Sequence, residues 1–209
     1  MSTTACTTSP LVAWQRLRAG AERPAPVRGR PSAGPVDDQP VAAVFRCADT
    51  CLANEAVFGQ ATGSLIDVST WGHVVDTGVL ATLEYAVESL GVPLIVVLGH
   101  QDCPAMRTAM RAWTDAAIPA GAARTVVENA IGSIVRRGAG ADTVAELTSA
   151  HVADTGLGLL VRSPIIARRV DAGQLAIVCA TTRSSGGGIA VHATVGAVGE
   201  VDGALLECV

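Results

Sequence analysis

The run Leu94-Ile-Val-Val-Leu-Gly-His-Gln-Asp-Cys103 decides the fold of this 209-residue chain. Its opening residues, Leu94 to Leu98, are apolar without interruption, the pattern of a strand buried on both faces and therefore central in a parallel sheet. The run then ends in Gly99 and His100, with Cys103 one turn further on. A second apolar run, Val41-Ala-Ala-Val-Phe45, delivers Cys47 and Asp49 in the same manner. Residues two apart at the end of an extended segment point the same way, while a His and a Cys three apart lie one turn apart on a loop entering a helix. Both half-sites leave the carboxyl ends of strands, where open α/β sheets place their sites. Cys47, Asp49, His100 and Cys103 therefore make a set that would hold a zinc ion. Cys51 lies on the same side if the chain stays extended, as a further thiol beside the metal.

Working outward, the chain reads as α/β, a mostly parallel central sheet flanked by helices, with an N-terminal helical arm. Ser9-Pro10 followed by Leu11, Trp14 and Leu17 reads as a capped amphipathic helix. Residues 23 to 40 hold five Pro and two Gly, a wrapping arm or linker. The division is thus an arm over residues 1–40 and a zinc-binding α/β domain over residues 41–209. Leu65-Ile-Asp-Val68 is a shorter strand, weakened by Asp67. Asp76 caps a helix with apolar positions Val79, Leu80, Leu83, Val87 and Leu90, closed by Gly91 and Pro93. Helical patterns fill roughly 104 to 113 and 123 to 170, broken at Gly138-Ala-Gly140, and two strands, 174 to 181 and 189 to 195, end the domain.

Composition narrows the function classes. With 49% hydrophobic and 16% charged residues the chain can bury a sizeable core. A net charge of −4 offers no footprint for nucleic acid, and no apolar run approaches the length of a membrane span. The N-terminus does not read as a secretory signal, so the cytoplasm is expected. All 15 basic residues are Arg, which excludes a Schiff-base or phosphate-binding Lys. The six Cys favour metal or catalysis over disulfides in such a chain. Cys179, inside Leu175-Ala-Ile-Val-Cys179, reads as a small core residue.

The segment from Phe45 to Ala105 resembles the β-class carbonic anhydrases. Their pattern is Cys-x-Asp-Ser-Arg, a Gln-containing loop, Ala-Gly-Asn/His and Val-Leu-Gly-His-x-x-Cys-Gly. Here it runs Cys47-Ala-Asp49-Thr-Cys51, Phe58-Gly-Gln60, Trp71-Gly-His73-Val-Val-Asp76 and Val97-Leu-Gly-His100-Gln-Asp-Cys103-Pro104. The resemblance implies that family's fold and a homodimer or dimer of dimers. It also implies zinc held by Cys47, His100 and Cys103, a hydroxide in the fourth position attacking carbon dioxide, and Asp49 orienting that nucleophile. Gln60 would hydrogen-bond a substrate oxygen, or else simply brace its loop.

The family holds the aspartate off the metal with an Arg two residues later, and in this chain Cys51 stands there. A Cys cannot make the bidentate pair, so Asp49 is free to become the fourth ligand. Ser69, Trp71, Gly59 and Pro104 also depart from the family pattern and change the floor and entrance of the pocket. Cys51 itself is open between a small residue without a role and a metal ligand or reactive group. His73 and His151 read as loop or helix-surface histidines rather than proton shuttles.

Three functions fit. Zinc-hydroxide chemistry on a small carbonyl-type substrate could serve a repurposed hydration, hydrolysis, dehydration or cyclisation, with Asp49, Gln60 and Cys51 as the catalytic candidates. Residual hydration of carbon dioxide could persist if Arg46 or Arg107 replaced the missing partner of Asp49. A closed zinc site with Cys47, His100, Cys103 and either Asp49 or Cys51 would instead make a dimeric scaffold.

Overall fold

Strand β1 (Ala42–Cys47) lies between β2 (Leu65–Thr70) and β3 (Leu94–His100), and β4 (Ala176–Thr182) extends the same parallel set beyond β3. Strand β5 (Ile189–Val195) runs antiparallel to β4, and the two-residue β6 (Leu205–Leu206) closes the order β2-β1-β3-β4-β5-β6. These positions come from a computed structural model, which describes residues 8–22, 39–50, 52–138, 140–182, 188–199 and 205–206. Most of the Pro-rich arm lies outside them, as do Cys6, Cys51 and Cys208.

The sheet is buried on both faces because successive side chains alternate between them. Ala43, Phe45, Ile95, Val97, Ile177 and Cys179 face one core, built with Leu83, Val152, Leu159 and Ile166 of the helices. Ala42, Val44, Leu94, Val96, Val178 and Ala180 face the other, against Ala13, Trp14 and Leu17. The latter come from α1 (Pro10–Ala21), capped by Ser9 as its sequence suggests. Cys179 is a core residue, as expected.

The remaining helices are α2 (Asn54–Val57), α3 (Thr77–Glu88), α4 (Pro104–Asp115), α5 (Ala123–Arg136), α6 (Val144–Arg162) and α7 (Pro164–Asp171). Asp76 caps α3 through a 2.8 Å bond to the N–H of Val79. The helical stretch read from 123 to 170 has a second break, at Ser163. Pro164 forces Ser163 out of the helical region, and the Ser163 hydroxyl then caps α7. Periodicity did not reveal α2 or the one-turn 3₁₀ segment Trp71–His73, both too short to show it. No described helix is long and apolar enough to cross a membrane.

Candidate metal centre

The site forms where β1 and β3 end side by side. Cys47 is the last residue of β1, and the chain continues far enough for Ala48 to donate to Thr70 O at 3.0 Å before turning at Asp49. Arg46 ties that turn by donating to Thr50 O at 3.2 Å. From β3 the chain leaves His100, passes through Asp102 in the left-handed region (φ 57°), and enters α4 with Cys103 at the cap and Pro104 as first helical residue. Pro is tolerated there because its missing N–H would have no helical partner.

The ligand atoms of Cys47, Asp49, His100 and Cys103 lie within 4.8 Å of one another. The two sulfurs are 3.8 Å apart, Asp49 Oδ1 is 2.7 Å from His100 Nε2, and Asp49 Oδ2 is 3.7 Å from Cys103 Sγ. Both cysteines are buried, whereas the His100 and Asp49 side chains are each 17% exposed and form the way in. On the His100 ring, Nδ1 lies 3.1 Å from Gln101 O, which leaves Nε2 to face the cluster.

These groups titrate together. Cys47 is pushed far up, first by its hydrogen bond with Cys103 and then by burial. Cys103 is pulled down, first by the same bond with Cys47 and, against burial, by the N–H groups of Met106 and Ala105 at the start of α4. The bond between the two sulfurs thus favours the thiol form at Cys47 and the thiolate form at Cys103. His100 is raised to about 9, first by its bond with Cys47 and, against burial, by the bond to and charge of Asp49. Burial would raise the Asp49 carboxyl, but hydrogen bonds with Cys47 and His100 outweigh it and hold it below its ordinary value.

This donor set suits zinc. A tetrahedron with metal–sulfur bonds of about 2.3 Å separates its sulfurs by about 3.8 Å, and the sulfurs here stand 3.8 Å apart. The nitrogen–oxygen edge of such a site is about 3.3 Å, so the 2.7 Å pair of His100 and Asp49 would open slightly. All four donors are of types zinc takes.

The other predicted residues divide. Gln60 is buried, donating to Phe58 O at 2.7 Å and accepting from Arg16 Nε of α1 at 2.8 Å. Both ends of its amide thus brace a turn against α1. Arg46 does not take the place of the missing Arg: it pairs with Asp67 across the β1–β2 register, at 3.0 and 3.1 Å. Arg107 is exposed on α4, and among the described residues Asp49 bonds with His100 and Cys103 instead.

His73 and His151 are not surface groups, contrary to the sequence reading. They are 4% and 3% exposed, their rings in edge contact at 6.0 Å. His73 Nε2 donates to Leu98 O at 3.0 Å, and burial pushes its pKa down to about 3. Burial also lowers His151, against its bond to Gly72 O. The residue sequence reasoning missed is Gly72, whose N–H donates to Cys47 Sγ at 3.1 Å. Trp71, beside it, packs on the apolar cluster that includes Cys47 and Cys103.

The carbonic anhydrase family model matches residues 42–189. The chain is 40% identical over 204 residues to carbonic anhydrase 2 of Mycobacterium tuberculosis, covering 92% of this chain and 98% of that protein. To the carbonic anhydrase of Mycolicibacterium smegmatis it is 37% identical over 202 residues, with the same coverage of 92% and 98%. Among solved structures, a tetrameric β-carbonic anhydrase of Sordaria macrospora superposes with a TM-score of 0.63 at 19% identity, over 74% of this chain and 81% of that one.

Proposed function

The chain belongs to the β-class carbonic anhydrase family, and from that premise we propose a zinc enzyme that acts on a small carbonyl-type substrate, by hydration, hydrolysis, dehydration or cyclisation, and hydrates carbon dioxide poorly. The observation that supports this reading is the position of Asp49. Its carboxylate lies inside the ligand cluster, 2.7 Å from His100 and 3.7 Å from Cys103. No described Arg draws it away, because Arg46 is committed to Asp67.

Cys47, His100 and Cys103 would hold the zinc, with Asp49 resting as the fourth ligand. Zinc, when bound, lowers the pKa of a coordinated water to about 7 and so supplies a nucleophile at neutral pH. The chain's own residues do the rest. Asp49, kept ionised, accepts hydrogen bonds and can orient a donor only after it leaves the cluster. The Gly72 N–H fixes the Cys47 sulfur, and the start of α4 fixes that of Cys103. Trp71 brings an apolar face beside the site, which favours a substrate with an apolar portion over a bare triatomic molecule. Gln60 and Cys51 stand as further catalytic candidates, and a homodimer or dimer of dimers is the expected assembly.

Retained carbon dioxide hydration is the second reading, favoured by the mycobacterial relatives named for that activity. One set of assays on zinc-loaded protein separates the readings. Carbon dioxide hydration is followed by stopped flow across the range above about pH 7, where a metal-lowered water is ionised, beside a panel of small esters, aldehydes and cyclic amides. Turnover within the panel with little hydration supports the proposal. Fast hydration of carbon dioxide establishes the second reading in its place. Tight zinc with no turnover, and a spectroscopic shell of four protein ligands, would mean a structural site.

A further inference from the structure

Gly72 is hydrogen-bonded on both sides, and only one side belongs to the ligand set. Its N–H donates to Cys47 Sγ at 3.1 Å, while its carbonyl lies 2.9 Å from Nε2 of His151 on α6. A carbonyl only accepts, so the His151 proton is at Nε2 and Nδ1 is an acceptor. The Ser133 hydroxyl fills that role, 2.9 Å from Nδ1. Ser133 Oγ also lies 3.1 Å from Asp154 Oδ2, but its one proton is spent on the ring. Asp154 is satisfied instead by Arg136, whose Nε and Nη2 donate at 3.0 and 2.6 Å. The result is a chain of hydrogen bonds from the Ser133 hydroxyl through the His151 ring and the Gly72 peptide to the buried Cys47 sulfur.

The turn carrying Gly72 needs holding. Gly72 and His73 are consecutive residues in the left-handed region, at φ 66° and 54°. A Cβ on Gly72 would fall 2.3 Å from Val126 Cγ1 and 3.2 Å from Ala105 Cβ, so the peptide is wedged between α5, α4 and the Cys47 sulfur. The ring of His151 enters from α6 and fixes the carbonyl side of the same residue. Outer partners of this kind set both the orientation and the donor strength of a metal ligand.

We propose that His151, oriented by Ser133, is a positioning residue for the Cys47 ligand: by pinning the Gly72 carbonyl it aims the Gly72 N–H at the sulfur and so sets metal affinity and thiolate donation. The inference rests on the zinc reading of the site. It does not depend on which substrate is turned over.

The test uses the full chain and needs no substrate. Zinc affinity is measured by competition with a chromophoric chelator, and the cobalt(II)-substituted protein reports sulfur donation through its thiolate-to-metal charge-transfer band. His151→Phe removes the Nε2–H donor and the Nδ1 acceptor together and should weaken zinc binding by about 10-fold or more and move the band. His151→Gln keeps an N–H donor and should recover most of both. The proposal is overturned if H151F leaves affinity and band unchanged, or if H151Q is as impaired as H151F, since the loss would then be one of packing. Should H151F fail to fold, Ser133→Ala carries the test, because it leaves the ring in place and releases its Nδ1. S133A should lower affinity several-fold and move the band in the same direction, and unchanged values overturn the proposal. A wild-type chain that binds no zinc removes the zinc reading and this inference together; a wild type that binds zinc beside indifferent variants removes only the inference.

Discussion

His100 Nε2 and Asp49 Oδ1 meet at 2.7 Å, closer than the corresponding edge of a tetrahedral zinc site. The contact is a charge-assisted hydrogen bond, with His100 raised to about 9 and Asp49 held ionised. In the metal-free chain a proton thus stands between two of the ligands, and Cys47 retains another. Zinc must displace both, because only the neutral imidazole and the thiolate bind it. Zinc binding at neutral pH should therefore release at least two protons, and affinity should fall steeply on acidification. Calorimetry in buffers of different ionisation enthalpy counts the protons. Release of none would show that His100 and Cys47 are already deprotonated, and the site electrostatics given above would be wrong.

Asp49 lacks the Arg that the family places two residues after it, and Cys51 holds that position in the sequence. Arg46 cannot substitute, since both oxygens of Asp67 already occupy it. Cys51→Arg should therefore draw Asp49 out of the cluster and raise carbon dioxide hydration by about 10- to 100-fold over the wild type, the usual range for a metal site's outer partners. Stopped-flow hydration by zinc-loaded C51R is the measurement. If C51R binds zinc as the wild type does yet gains no rate, the missing Arg is not what limits hydration, and Trp71 and Pro104 become the residues to change.

Helix α6 approaches β4 where Gly156 faces Cys179. A Cβ at Gly156 would stand 2.3 Å from the Cys179 sulfur, so Gly156→Ala should cost about 1–3 kcal/mol through overpacking. Cys179→Ala removes the obstructing atom. The double variant should then be more stable than the two separate losses predict, by about 1 kcal/mol or more in a denaturation cycle. Strict additivity would mean that the helix backs away from the sheet instead.

The strand ends and the two half-sites were legible because parallel strands buried on both faces leave continuous apolar runs, and the residues that follow them can be read directly. Long-range register was not. Arg46 could be seen to lie near Asp49, but that Asp67 would be within its reach depends on β1 pairing with β2 so that Val44 opposes Asp67. His151 was misread for a related reason. It sits four residues after Leu147 and eight before Leu159, both fully buried, so the helical period of α6 already points it inward. Its polarity argued for the surface, and only the carbonyl of Gly72, 79 residues away, makes an inward histidine affordable. Gly72 was legible as the glycine of the family's Ala-Gly-Asn/His pattern, but nothing in the sequence showed that its N–H would meet the Cys47 sulfur.

His73 supplies the clearest pH signature of the fold. Its pKa is pushed down from the ordinary 6.5 to about 3, first by burial and then by the neighbouring His151. The unfolded chain takes up a proton near pH 6.5 that the folded chain refuses, so stability is unaffected above that pH and falls as the pH drops from about 6.5 toward 3. The slope is at most about 1.4 kcal/mol per pH unit for each such histidine, and His151 adds to it in the same direction. His73→Asn isolates the contribution: Asn tolerates the left-handed backbone at this position, can donate to Leu98 O and does not titrate. Denaturant midpoints of the metal-free proteins across this window should therefore fall less steeply for H73N than for the wild type, by close to one proton's worth of slope. Parallel curves would mean that His73 is protonated in the folded chain as readily as in the unfolded one, with water reaching its ring.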